Sequence, residues 1–448
     1  MNRSVPRPPM TSLSAPLWRQ LQAVAWVLQE VRDGRSLTQL LDQVDRTLRP
    51  GVQALAFKVL RSLGRAQALR RALARRAPAP NVDSLLCAAL ALLVPANGAA
   101  YEAFTVVDQA VEAAKRDPLM RSSSSFINAC LRRFLRERDA LLLATDGDPV
   151  ARWNHAPWWV KRLKNDHPAN WQAILEASNG QAPMSLRVNL MRTTVEQYLA
   201  LLSAAGVDAE RLGLSGVVLE RPMPVHELPG FEQGLVSVQD AGAQLAAPLL
   251  LHGLSPTGRA HVLDACAAPG GKTAHLLEAG AGRVTALDID PQRCARISAN
   301  LERLGLSATV LAADAADTAG WWDGECFDAI LLDAPCTASG IVRRHPDVRW
   351  LRRESDIGQL AVVQGRLLRA LWPLLKPGGR LLYCTCSVFR DEGSHQIKAF
   401  VASNTDTLLQ PSPGHLMPQF RASGMPLPDN QPGDHDGFFY ALLEKRPA

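Results

Sequence analysis

Two short cysteine motifs, 50 residues apart, hold the side chains best suited to chemistry in this chain. Cys336 ends the run Asp333-Ala334-Pro335-Cys336, which directly follows the apolar stretch Phe327 to Leu332. Cys384 and Cys386 sit in Tyr383-Cys384-Thr385-Cys386-Ser387, behind Gly378-Gly379-Arg380-Leu381-Leu382. Both motifs read as C-terminal ends of strands, the edge at which open parallel sheets place their chemistry. Two thiols delivered to one crevice fit covalent catalysis on an electrophilic carbon, provided the site activates one of them to the thiolate. A zinc site built from Cys266, Cys336, Cys384 and Cys386 is the alternative, although C-x-C matches zinc spacing poorly. Cys87, Cys130, Cys294 and Cys326 read as ordinary small, buried or half-buried residues.

Strands must deliver these motifs, and from position 261 short apolar runs alternate with helical patterns. Val262-Leu263-Asp264 ends one strand, and a helix starts near Lys272. Arg283 to Leu287 forms a second, ending in Asp288-Ile289-Asp290 before a helix from Pro291 to Leu304. Ala308 to Ala312 forms a third, which ends at Asp314. Phe327 to Leu332 is the fourth and Arg380 to Tyr383 the fifth, with a late strand from Phe438 to Leu443. The alternation predicts an α/β fold with a doubly wound, mostly parallel sheet.

Between the first strand and its helix lies Asp264-Ala265-Cys266-Ala267-Ala268-Pro269-Gly270-Gly271-Lys272-Thr273. Glycines let a backbone approach a ligand closely, and the helix start beyond offers free N–H donors. A P-loop would need a further glycine where Cys266 stands, and a dinucleotide fingerprint needs glycines that are not adjacent. The turn therefore suits a ligand with little or no phosphate. Asp288, at the second strand end, is placed to hold a ribose diol, and Asp314, after the third, to meet an adenine edge. An adenosine-like cofactor without pyrophosphate points to S-adenosylmethionine.

The 448 residues, 47% hydrophobic and 21% charged, describe a globular chain of two or three domains. The longest wholly apolar run, Leu85 to Val94, is too short for a membrane span of about 20 residues and reads as a buried helix. The N-terminus carries Arg3 and Arg7 but is broken by Pro6, Pro8, Pro9 and Pro16, unlike a signal peptide. Eight cysteines spread over a long chain predict free thiols in a cytoplasmic, reducing compartment. The net charge of +6 is uneven, because residues 1–80 hold fourteen Arg and Lys against four Asp and Glu. Such a basic module fits a polyanionic partner, or simply a solvated helical surface.

Residues 1–145 read as all-helical. Leu17, Leu21, Val24, Leu28 and Val31 form one apolar stripe, and further helical patterns cover 36–48, 51–76, 82–94, 101–115 and 124–143. Asp146-Gly147-Asp148-Pro149 reads as a linker, 150–255 as a small mixed α+β domain, and 256–448 as the catalytic domain. In the middle segment Trp153, Trp158, Trp159 and Trp171 lie among Lys161, Arg162 and Lys164, where they either stack on bases or pack the domain.

The blocks DACAAPGGKT, ALDID, LLDAPCTASGIVRRHPDVRWLRR, LKPGGRLLYCTCS and PVHELPGFEQGLVSVQDAGAQ closely resemble the bacterial RNA (cytosine-5) methyltransferases of the Sun/Fmu group. The likeness extends over nearly the whole chain, and YEAFTVVDQAVEAAK with FINACLRRFLRER resembles the NusB-like RNA-binding domain of that group. It implies a Rossmann-like methyltransferase domain with S-adenosyl-L-methionine as cofactor. The cofactor would be held by Cys266, Ala267, Ala268, Pro269, Gly270, Gly271 and Lys272, with Asp288, Asp314 and Asp333. Cys386 would be the nucleophile that adds to C6 of cytosine, with Cys336 assisting proton removal and release. Asp333 would also hold the amino edge of the base, and Lys272 would contact cofactor or base. The implied substrate is 16S rRNA, free or in an early small-subunit precursor, at cytosine 967 of the standard rRNA numbering.

The segment after Cys336 carries Arg343, Arg344, Arg349, Arg352 and Arg353, read as RNA-backbone contacts at the mouth of the site or as a charged helix surface. The group often has Pro-Cys-Ser-Gly-Thr-Gly where this chain reads Pro335-Cys336-Thr337-Ala338-Ser339-Gly340, so Ala338 stiffens this loop. No metal is expected, and the chain is read as a monomer with no membrane partner. An RNA-binding regulator and a dinucleotide-dependent oxidoreductase are the competing readings; the former has no use for Cys386, and the latter lacks its fingerprint.

Overall fold

The computed structural model describes residues 15–94, 101–254, 260–418 and 435–447. The N-terminal Arg3, Arg7, Pro6, Pro8 and Pro9, and the expected boundary at 255/256, lie outside them. The chain divides into two compact units, one comprising 1–157 with 345–351 and the other 158–344 with 352–448.

Within the described residues the first unit is helical. Leu21, Val24, Leu28 and Val31 line the buried face of the helix Leu17–Arg32, as their spacing requires. The apolar run at 85–94 forms most of the helix Pro80–Leu93, buried nearly all round. Two expected helices are each broken in two. Residues 51–76 resolve into Arg49–Leu60 and Leu63–Leu73, with Ser62 buried between them. Residues 124–143 resolve into Ser124–Arg136 and Arg138–Thr145. Apolar periodicity does not register a change of axis made in one or two residues. Part of the basic excess is internal, since Arg32 and Arg70 both reach the buried Asp83, at 2.8 and 2.7 Å.

The second unit holds two sheets. The smaller is antiparallel in the order β2-β3-β1-β4, from β1 (Met184–Val188), β2 (Ala209–Leu212), β3 (Gly216–Leu219) and β4 (Val236–Val238). The larger is built from β5 (His261–Ala265), β6 (Arg283–Asp288), β7 (Thr309–Ala312), β8 (Phe327–Asp333), β9 (Leu375–Thr385), β10 (Thr407–Leu416) and β11 (Phe438–Lys445). Its order is β10-β11-β9-β8-β5-β6-β7. β5 to β9 pair in parallel, while β11 runs antiparallel to β9 and to β10.

Alternation along the central strands fills both faces. Leu263, Leu332 and Tyr383 enter one core, and Val262, Leu331, Leu382 and Tyr440 the other. Helix Pro291–Leu304 forms where expected: Asp290 caps it by accepting from Gln292 N at 2.8 Å, and Gly305 ends it at φ 66°. β10 was not foreseen, because the turn-type residues Pro411, Ser412, Pro413 and Gly414 interrupt its pattern at an outer strand. The order of strands reverses between β5 and β8, which places the ligand crevice of such a sheet at their C-terminal ends.

Candidate active site

Asp333 at the end of β8 pairs in register with Cys384 on β9. Each chain then leaves the sheet and within three residues presents a thiol, and Cys336 Sγ lies 3.4 Å from Cys386 Sγ. Backbone bonds hold the two exits together, from Ala334 N to Cys384 O and from Gly340 N to Cys386 O, both 2.9 Å. Burial and the hydrogen bond to Cys386 keep Cys336 well above the ordinary thiol range, the hydrogen bond being the larger cause. Cys336 therefore holds its proton beside the Cys386 sulfur. Cys384 points elsewhere. Its buried thiol lies 3.4 Å from Asp333 Oδ1, and among the described residues no three His, Cys, Asp or Glu side chains are grouped to hold a metal ion.

The other oxygen of Asp333 receives Lys272 Nζ at 2.6 Å. Burial works against the Lys272 charge, but Asp333 together with Cys384 and Tyr440 holds the ammonium well above its usual pKa. Asp264, beneath them at the end of β5, is fully buried and accepts only from Thr273 Oγ1, at 2.6 Å, among the described residues. Burial raises its pKa to about 7.

The turn after β5 is held by Ala267 N donating to Leu287 O at 2.7 Å and by Ala268 N donating to Asp288 Oδ2 at 3.2 Å. Cys266 adopts φ 63°, and Gly270, which precedes helix Gly271–Glu278, adopts φ 94°. The glycine is needed there, since a side chain would press on the Ile297 backbone. Burial pushes the Cys266 thiol up to about 12, so it is inert.

A cavity of about 290 Å³ opens over these strand ends. Cys266, Ala268, Asp288, Asp314 and Asp333 line it, and so do Cys336 and Cys386. Ala267, Pro269, Gly270, Gly271 and Lys272 shape the turn without lining this space. Several lining residues were not foreseen, and three of them bear on a ligand. Ile289 exposes 68% of its surface there, Arg293 pairs with Asp288 at 3.4 Å, and Arg366 pairs with Asp314 at 2.8 Å. No motif flags arginines that come from the faces of helices. The walls fit an adenosine-type cofactor: Asp288 offers carboxylate oxygen to a diol, and Ile289 an apolar face to a ring.

The arginine segment is dispersed. Arg343 is fully buried in an ion pair with Asp436, which also binds Arg344. Arg344 reaches Asp240 at 2.7 Å and Pro183 O at 2.9 Å. Arg349 belongs with the helical unit and is also buried, which lowers its pKa to about 9. Arg343 and Arg349 are thus corrected from RNA contacts to internal groups, because a buried guanidinium has no route to a phosphate. Arg352 is half-buried and donates to Thr337 O at 3.0 Å, bracing the loop after Cys336, and Arg353 is exposed. The tryptophans divide too. Trp159 is buried against Phe389 at 5.2 Å, three residues beyond Cys386, whereas half-buried Trp171 lies 4.4 Å beneath Lys164.

Residues 251–444 match the model of the 16S rRNA methyltransferase RsmB/F family, and 155–226 a ferredoxin-like domain of RsmF/B-like methyltransferases. Ribosomal RNA small subunit methyltransferase B of Pseudomonas syringae pv. tomato is 42% identical over 95% of this chain and 97% of its own. The Pseudomonas putida protein of the same name is 43% identical over 95% of this chain and 98% of its own. The chain belongs to the RsmB/F methyltransferase family. The solved structure of PH0851 shares the fold, with a TM-score of 0.71 at 23% identity over 97% of this chain and 100% of its own. An RsmB/F protein is a methyltransferase with a Rossmann-like domain, and S-adenosylmethionine is its cofactor. All eight cysteines are free thiols, and among the described residues no helix is long and apolar enough to cross a membrane.

Proposed function

We propose that this chain methylates C5 of a cytosine in 16S ribosomal RNA, cytosine 967 in the standard numbering, through a covalent adduct on Cys386. The observation that carries the reading is the 3.4 Å thiol pair on the wall of a cavity that also holds Asp288 and Asp314. The 16S rRNA specificity of the matching family model supports the choice of substrate.

C5 of cytosine is too weak a nucleophile to take a methyl group unaided. The Cys386 thiolate adds to C6, and the displaced electron pair makes C5 the nucleophilic end of an enamine. When bound, S-adenosylmethionine supplies the sulfonium methyl group. Asp333 accepts from the exocyclic amine of the base, and Lys272, 2.6 Å away, balances its charge. As H5 is lost to solvent water, the C5–C6 double bond re-forms and expels the Cys386 sulfur. Cys336 still carries its proton and offers the leaving thiolate a hydrogen bond. The target base is unpaired or flipped to reach the crevice. Arg353, and the exposed face carrying Lys161 and Lys164, are the proposed phosphate contacts. The substrate is free rRNA or an early precursor particle, met by a cytoplasmic monomer.

Incubating unmodified 16S rRNA with methyl-labelled S-adenosylmethionine, then mapping 5-methylcytosine by bisulfite sequencing, tests the proposal. Label at a single cytosine is expected, and label on another atom or base would refute it.

A further inference from the structure

The thiol pair rests on an acid that the reaction scheme does not use. Glu392 lies in the short turn Arg390–Glu392, six residues beyond Cys386, and is fully buried. Its Oε1 accepts from Thr337 N at 2.8 Å and from Gln364 Nε2 at 3.3 Å. Its Oε2 accepts from Thr337 Oγ1 at 2.5 Å and from Ser387 Oγ at 2.6 Å. Thr337 directly follows Cys336, and Ser387 directly follows Cys386. One carboxylate thus grips the residue after each thiol. The hydroxyls form a one-way chain, from Val388 N to Ser339 Oγ at 3.0 Å, to Ser387 Oγ at 2.9 Å, and on to Glu392. The Glu392 carbonyl receives Tyr383 OH at 2.8 Å.

Among the described residues four groups donate to the carboxyl, and two of them, Thr337 N and Gln364 Nε2, cannot accept, an arrangement that suits the anion. Burial acts against that charge and raises the pKa overall, while the four donors hold part of that rise back. We propose that Glu392 is the positioning residue that makes the two thiols unequal: its bonds set their spacing, and its charge adds to the hydrogen bond and burial that hold the proton on Cys336. The Glu392 charge is one of the causes that raise the Cys336 pKa. The opposing cation is Arg352, whose guanidinium lies 3.0 Å from Thr337 O and 3.5 Å from Cys336 O. Tyr383, raised chiefly by burial, is neutral, and Gln364 carries no charge. On the same turn Arg390 is exposed and Asp391 pairs with Arg162 at 2.6 Å.

The inference deepens the reading of Cys386 as the attacking thiol and rests on it, but its test needs no RNA. The full-length chain is alkylated with iodoacetamide between pH 6.5 and 9, and each cysteine is followed by peptide mass spectrometry. In the native chain Cys386 is expected to react at least about tenfold faster than Cys336, one pKa unit being about tenfold in thiolate at a given pH. Equal rates would overturn the proposal at once. Glu392→Gln, which removes the charge, is expected to bring the ratio within about threefold and to move the Cys336 midpoint to lower pH. Glu392→Asp keeps the charge, and is expected to lower the thermal midpoint while leaving the ratio near tenfold. A role confined to folding would move both variants alike, and that result, or an unchanged ratio in Glu392→Gln, refutes the charge role. Loss of methyl transfer with the alkylation pattern intact would instead count against the proposed reaction.

Discussion

The cysteine exits and the arginine segment sit a few residues apart, and the sequence marks both as functional. The fold treats them oppositely. Cys336 and Cys386 are brought to 3.4 Å, whereas Arg343 and Arg349 are turned inward. The thiols follow adjacent parallel strands, so the pairing of Asp333 with Cys384 fixes where each exit begins. Arg343 lies in a run of turns and Arg349 in a helix of only four residues, so no period dictates which way either side chain faces. A motif anchored to a strand end can be placed from its sequence; a charge run cannot.

The contrast is open to several tests. The largest effect is expected at the thiols. Cys386→Ala should reduce methyl transfer by at least about a thousandfold while leaving cofactor affinity within a few fold, since only a covalent step is lost. Cys336→Ala should instead accumulate a protein–RNA adduct that survives denaturant, seen as a shifted band on a denaturing gel. Matching behaviour of the two variants would remove the division of labour between them.

Next comes the buried arginine. Arg343→Ala leaves Asp436 buried with Arg344 alone and should cost about 3–5 kcal/mol of stability, read by chemical denaturation. Arg353→Ala should change stability by less than about 0.5 kcal/mol and lower the slope of log affinity against log salt for RNA by about one. A large loss of stability at Arg353, or none at Arg343, would erase the distinction between the two kinds of arginine.

Asp264 gives an effect of intermediate size that depends on pH. Its folded pKa of about 7 lies above the unfolded carboxylate value of about 3.9. The folded chain therefore binds the extra proton between these values. The associated stability is complete below about pH 4 and is lost as pH rises to about 7. Asp264→Asn removes the titration, so its stability relative to the native chain should rise across that window by on the order of 2–4 kcal/mol. Parallel denaturation curves at pH 5 and pH 8 would contradict this.

The smallest change is at Ala338, which stands at φ 58° where the group often has glycine. Relief of about 1 kcal/mol of left-handed strain in Ala338→Gly is opposed by about 0.4–1 kcal/mol of unfolded-chain entropy. The denaturation midpoint should therefore barely move. The expected stiffness of this loop has its physical basis in that backbone conformation. A shift above about 2 kcal/mol would mean that the methyl group of Ala338 has another role.

The strand ends were legible because each combines an apolar run with an abrupt change to Asp, Cys or Gly. Asp288, Asp314, Asp333, Cys336 and Cys386 all reach one cavity from such positions. Arg293 and Arg366 were not legible, since helix periodicity says which face is polar but not which strand end it overlooks. Glu392 was hidden for another reason. Nothing in Arg390-Asp391-Glu392-Gly393 distinguishes a buried acid from an exposed one, and only the turn that carries Glu392 back under the exits of β8 and β9 does so.

By itself the sequence determined the alternation of strands and helices, the order of the strand-end residues, and their likeness to a methyltransferase family. These depend on local spacing and residue type, which need no knowledge of the rest of the chain. The tertiary structure alone decided that the thiols face each other, that two of the arginines are internal, and that one buried carboxylate ties both thiol loops. Each of these depends on residues far apart in sequence meeting in a desolvated place, where a charge persists only if partners surround it.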